Sequence, residues 1–147
     1  MDLGGLYGGY YSDVARTFGF GEPDPRKQDC YRRLAEIHRA VIEQVRVGVR
    51  FCDIFNFCRD CFAKQGLRFH MPHIGHGLGV GLHEHPVVEA SNTRLVEEGM
   101  VINIEPLFFD MGDGSGYHIE DLILTTAKGP RVLTGSDLNV DMEWYGG

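Results

Sequence analysis

The sequence predicts an α+β fold in which antiparallel hairpins are combined with two helices. Three observations carry this reading. The first twenty residues are rich in Gly, Tyr and Phe, two segments repeat apolar residues at helical spacing, and the second half holds short apolar runs separated by Gly- and Pro-containing turns. Residues 2–20, "DLGGLYGGYYSDVARTFGF", read as two strands joined by a turn near Tyr7-Gly8. Asp24-Pro25 is a helix start, with Asp as N-cap and Pro in the first turn. Tyr31, Leu34, Ile37, His38, Val41, Ile42 and Val45 then share one helical face, and Gly48 ends the segment. Asp53 is read as the cap of a second helix, with Ile54, Phe57, Cys58, Cys61 and Phe62 on one face and Gly66 as its stop. "GMVINIEPLFF" is a strand broken by Pro106. "GYHIEDLILTT" is another strand, and Lys128-Gly129-Pro130 turns the chain into "RVLTG". The tail from Asp137 has no usable period.

The totals restrict the function classes. A chain of 147 residues with 43% apolar content fits one domain with a packed core. A net charge of −7 argues against a nucleic-acid or anionic-membrane surface, because phosphate binding takes a basic patch. No apolar run approaches the roughly 20 residues needed to span a bilayer. No basic-then-apolar leader follows Met1, and a cytoplasmic location is expected. Cys58 and Cys61 form a C-x-x-C in a helical context, with no second Cys or His pair at zinc-finger spacing. The four cysteines are therefore expected to be packed thiols in a reducing compartment.

The titratable residues point to a metal centre. The segment "HIGHGLGVGLHEHP" gathers four histidines, four glycines and a glutamate into fourteen residues. If the first hairpin turns at Tyr7-Gly8, Asp2 lies opposite Asp13, with Cβ atoms about 5 Å apart. Like charges so placed are destabilising unless one is protonated or a cation lies between them. A second turn centred on Gly112-Asp113 sets Glu105 near Glu120 in the same way. Two facing carboxylate pairs beside a histidine cluster suit Mn, Fe, Co or Zn. Two such cations about 3.5–4 Å apart can activate a carbonyl.

The pieces "DLGGLYGGYYSDVARTF", "GHGLGVGLHEHP", "NIEP" and "HIEDLILTTAKGPRVLTG" together resemble the creatinase/aminopeptidase (M24) family of pita-bread fold, which includes methionine aminopeptidase, aminopeptidase P and prolidase. The resemblance implies the C-terminal portion of that fold, a curved antiparallel sheet covered by two long helices. It implies Asp2, Asp13, His76, Glu105 and Glu120 as ligands of two divalent metals, with manganese favoured over cobalt, iron or zinc. Glu105 would also shuttle protons, and His83 would steady the intermediate formed when a metal-bridging hydroxide attacks a peptide carbonyl. His73, His83 and His118 would contact a peptide substrate. The activity implied is that of an Xaa-Pro aminopeptidase or dipeptidase, with a homodimer as the expected oligomer. A non-peptide hydrolase or lyase on the same fold, and a non-catalytic binding module, are the competing implications.

Two departures bear on substrate. His118-Ile119-Glu120-Asp121 stands where relatives often have Arg-Ile-Glu-Asp, and Glu105-Pro106-Leu107 where they often have Glu-Pro-Gly. Residues 1–147 are expected to be a partial catalytic domain, without an upstream half-repeat and an N-terminal domain.

Overall fold

The computed structural model describes residues 1–110, 112–135 and 141–146. Its elements are β1 (Asp2–Tyr7), β2 (Tyr10–Ala15), β3 (Phe18–Phe20), α1 (Pro25–Ile42), α2 (Phe51–Lys64), β4 (His73–Gly77), β5 (Glu84–Glu89), β6 (Val101–Ile104), β7 (Leu107–Phe109), β8 (Gly116–His118), β9 (Asp121–Thr126), β10 (Gly129–Val132) and β11 (Glu143–Tyr145). A five-stranded sheet has the order β10-β9-β6-β4-β5, and its pairings are all antiparallel. The pairs β1-β2, β7-β8 and β3-β11 complete the described strands. The expected α+β fold with antiparallel hairpins and two helices is what forms.

Both helices bury one face against the sheet. Asp24 caps α1 by accepting from the Arg26 and Lys27 amides, with Pro25 in the first turn. The helix ends at Ile42, earlier than Gly48, and Val45 is buried in the turn beyond it. Leu34, Ile37 and Val41 from α1 meet Phe51, Ile54, Phe55 and Phe62 from α2 in one core with Ile74, Val88, Ile102 and Ile104. The ring of Phe69 stands edge-on to Phe55 and Phe62, both at 5.3 Å between centroids. Asp53 does not cap α2. The helix starts at Phe51 behind Arg50, and the Asp53 carboxylate instead accepts from the Arg50 guanidinium at 2.8 Å. Gly66, with φ of 68°, follows the helix as its left-handed stop.

The first hairpin differs from expectation in register. Its turn is Gly8-Gly9, with φ of 59° and 86°, so Asp2 faces Ala15 and Asp13 faces Gly4. A two-residue turn matched to strand twist takes positive φ at both central positions, which two glycines adopt and Tyr7 would resist. The slip is two residues, an even number, so Asp2 and Asp13 remain on one face as diagonal neighbours. In the second half, Ile104 faces Asp121 and Leu107 faces His118, the register that sets Glu105 against Glu120.

The stretch from His73 to Pro86 contributes two paired strands, β4 and β5, with register shifts on both sides of His76. Strand β11, which runs parallel to β3, had no signal in the sequence, and residues 136–140 of that tail lie outside the described residues. The four cysteines are free thiols. Among the described residues, no helix is long and apolar enough to cross a membrane.

Candidate metal centre

Four strand ends converge on one cluster. Ala15, the last residue of β2, pairs with Asp2 on one side and bridges to Glu120 on the other. Asp2, Ala15 and Glu120 thus form a row across three chain segments, with Asp13 diagonal to it. Strand β4 brings His76, and the break at Pro106 leaves Glu105 just past β6. Glu105 is held there by its amide, which donates to the Ile74 carbonyl at 2.9 Å.

The side chains form two ligand-like groups that share a member. Asp13, His76 and Glu120 each offer an atom within 4.8 Å of the others, and so do Asp2, His118 and Glu120. Glu105 flanks both groups. Its Oε1 lies 3.6 Å from His76 Nε2 and its Oε2 lies 3.9 Å from His118 Nε2. The His73 Nδ1 also faces Glu105 Oε1, at 3.4 Å. The His83 ring lies tilted beside His76 with 4.2 Å between centroids. All five residues expected as ligands are therefore brought together, and His73, His83 and His118 line the same space. A cavity of about 310 Å³ opens beside them, lined by His73, His76, His83, Glu84, His85 and Val87.

Electrostatics of the cluster favour a cation. Burial, followed by the charges of Asp13 and Asp2, pushes Glu105 up to about 7. Burial likewise pushes Glu120 up to about 8, against the opposing hydrogen bond from Asn103 and with the help of Asp13, Asp2 and Glu105. Asp13 is raised by burial and by its neighbour Asp2. His76 and His118 are both lowered by burial, which keeps the imidazoles neutral as metal ligands require. The His76 Nδ1 donates to the Gly77 carbonyl at 3.0 Å, leaving Nε2 to face the cluster.

Buried polar atoms are normally hydrogen-bonded. Here His76 Nε2, His118 Nε2, Glu105 Oε1 and Glu120 Oε2 are buried without a hydrogen-bond partner. These are imidazole nitrogens and carboxylate oxygens aimed at one another, the donor set for a first-row divalent cation. The residues present therefore fit metal ions.

Several supporting residues carried no singled-out signal in the sequence. Asn103, fully buried on β6, donates through Nδ2 to Glu120 Oε1. Its place two residues before Glu105 on one strand puts both on one face, which is the clue that could have found it. Arg16 donates through Nη1 to the carbonyls of Ala15 (2.8 Å) and Glu120 (2.7 Å), and through Nη2 to Asp121 Oδ1 (2.7 Å). The same Asp121 oxygen accepts from the Thr134 hydroxyl at 2.6 Å. His38, fully buried on α1, donates through Nε2 to the Ile104 carbonyl at 3.0 Å, one residue before Glu105.

A hairpin with two diagonal aspartates, a histidine strand and two glutamates on facing strands together define a metal-binding type of centre. The chain belongs to metallopeptidase family M24, whose family model matches residues 1–127. An uncharacterised peptidase of Staphylococcus aureus is 40% identical over 135 residues, which are 91% of this chain and 38% of that protein. Dipeptidase PepE from Mycobacterium ulcerans superposes with a TM-score of 0.89 at 33% identity, over 97% of this chain and 38% of that one. An Xaa-Pro dipeptidase from Bacillus anthracis superposes with a TM-score of 0.89 at 29% identity, over 98% of this chain and 40% of that one. The chain spans about two fifths of the length of these relatives.

Proposed function

We propose that this chain carries the dinuclear metal centre of a peptidase that removes an N-terminal residue, with peptides of the Xaa-Pro type as substrates. The observation that carries the reading is Glu120, shared between two groups that each add one aspartate and one histidine. Asp2, Asp13, His76, Glu105 and Glu120 would hold two divalent ions, with manganese the metal expected of so oxygen-rich a set. Such ions, when bound, supply positive charge that polarises a carbonyl and acidifies water. The similarity to a dipeptidase and to an Xaa-Pro dipeptidase supports a peptide substrate.

The chain's own residues then divide the work. Glu105, which faces His73, His76 and His118 within the cluster, can take a proton from the attacking water and return it to the departing amine. His83, beside His76 at the mouth of the cavity, donates to the carbonyl oxygen as charge builds there. His73, half-buried over Glu105, contacts the substrate beside the scissile bond. Val87 and the imidazole faces supply the apolar wall against which a proline ring packs. Four free thiols favour a reducing, cytoplasmic setting.

Manganese titration by calorimetry, followed by a panel of Xaa-Pro, Met-Xaa and non-peptide amide substrates, tests the reading. Two bound equivalents with release of the N-terminal residue from Xaa-Pro peptides is the expected result. Failure to bind manganese, cobalt or zinc refutes the metal centre, and hydrolysis confined to non-peptide amides refutes the peptidase.

A further inference from the structure

We propose that His118 is itself a metal ligand, so that the centre has two imidazoles, one for each cation, instead of one. The inference rests on the metal-centre reading above and goes beyond the five ligands that the family resemblance supplies. His118 stands two residues before Glu120 in the segment His118-Ile119-Glu120-Asp121, and its imidazole has a lone pair to give a cation.

The geometry is specific. His118, Asp2 and Glu120 present ligand atoms within 4.8 Å of one another, the same closeness found for His76, Asp13 and Glu120. The two groups have the same composition, one Asp, one His and the common Glu. Glu105 spans them, with one carboxylate oxygen toward each histidine, at 3.6 Å and 3.9 Å. His118 Nε2 is buried without a hydrogen-bond partner, as are His76 Nε2 and the fully buried Glu120 Oε2 between them.

The backbone of His118 is fixed for the task. Its amide donates to Thr17 Oγ1 at 2.8 Å, and the same hydroxyl donates to its carbonyl at 3.0 Å. Strand β8 pairs it with Leu107, two residues after Glu105. A side chain meant to reach out to a substrate gains little from being held this way. A ligand gains directly, because its approach to the cation is set before binding.

A second imidazole changes which metals the centre favours. Carboxylates alone suit manganese, whereas imidazole suits iron, cobalt and zinc. The second imidazole is therefore expected to shift the preference from manganese toward iron and zinc, relative to a centre with one histidine.

X-ray absorption of the zinc-loaded protein counts the imidazoles directly. The expected wild-type result is about one imidazole per zinc with two zincs bound, falling to about half in His118→Asn. Zinc affinity at one site should fall at least about tenfold in that variant, with a smaller loss for manganese. His118→Arg, whose guanidinium has no lone pair to give a cation, should behave like His118→Asn. About half an imidazole per zinc in the wild type overturns the proposal without any variant, as does an unchanged zinc affinity in folded His118→Asn. A wild-type chain that binds no zinc, cobalt or manganese overturns the metal centre itself, which is a different failure.

Discussion

Replacing Arg16 with Met tests how the carboxylate strands are held in place. Arg16 leaves β2 and ties it to the Glu120-Asp121 segment through three bonds, two to carbonyls and one to a carboxylate. Asp121 is 1% exposed, so without the guanidinium its charge is buried with only the Thr134 hydroxyl as a bonded partner on that oxygen. Breaking a buried ion pair by removing one partner costs about 3–5 kcal/mol. Water reaches Arg16, which is 27% exposed, so the lower end applies and the expected loss is about 3 kcal/mol. Equilibrium urea unfolding of the metal-free protein reads it as a lower midpoint at unchanged slope. Arg46→Met is the control. It removes an exposed partner of Glu43 three residues away and should stay within about 0.5 kcal/mol. A second substitution, Asp121→Asn, removes the stranded charge and should recover part of the loss. An Arg16→Met loss below about 1 kcal/mol, or no recovery in the double variant, would refute the argument that this ion pair is structural.

Titration of the cluster, the β4–β6 contact and the open edge of β1 each carry a further expectation. Glu105 and Glu120 bind a proton more tightly folded than unfolded, so their contribution is full below about 4.5 and is lost as pH rises through about 7 and 8. His38, lowered to about 4 by burial, acts oppositely, since its contribution is lost as pH falls from 6.5 toward 4. Above pH 6.5 the carboxyls are unopposed, and metal-free stability should drop by a few kcal/mol by about pH 8. Urea midpoints measured in chelator check this, and a rise over that window sinks it. Gly75→Ala places a methyl on the Asn103 carbonyl oxygen between β4 and β6, and thermal unfolding should show a loss of about 1–3 kcal/mol. Strand β1 has no neighbour on its outer edge among the described residues, and Leu3 and Leu6 are exposed on it. Sedimentation should therefore show concentration-dependent self-association that Leu3→Lys reduces, and a monomer at all concentrations contradicts it.

The sequence was most legible where chemistry and strand alternation agree. The Glu105–Glu120 register is read correctly because "MGDGSG" leaves one centre for the turn, and the flanking ladders keep that register on both sides. The first hairpin has three consecutive turn-forming choices around Tyr7, Gly8 and Gly9, and only the demand for two positive φ values selects Gly8-Gly9. The helix cap at Asp53 fails for a different reason. A nearby Arg50 competes for the carboxylate, and an ion pair of this kind depends on a rotamer that no sequence pattern specifies. Asn103, Arg16 and His38 escaped because their roles arise from contacts 17, 105 and 66 residues away along the chain.

The error in the first hairpin explains why the site was legible at all. A one-residue slip would have turned Asp13 away from Asp2 and dispersed the cluster. A two-residue slip leaves both on the face that Ala15 presents to Glu120, so convergence depends on parity rather than on the exact pairing. The same face then concentrates acids that the protein only partly neutralises. Asp121, one residue beyond the face, receives Arg16, whereas Glu120 receives a neutral amide and Glu105 receives three imidazoles at 3.4–3.9 Å. The fold thus places the partly exposed Arg16 guanidinium behind the cluster, where it aligns strands, and among the described residues no lysine or arginine joins the two ligand-like groups. Positive charge there has to come from a bound cation, and the unpaired atoms of His76, His118, Glu105 and Glu120 are where it would be held.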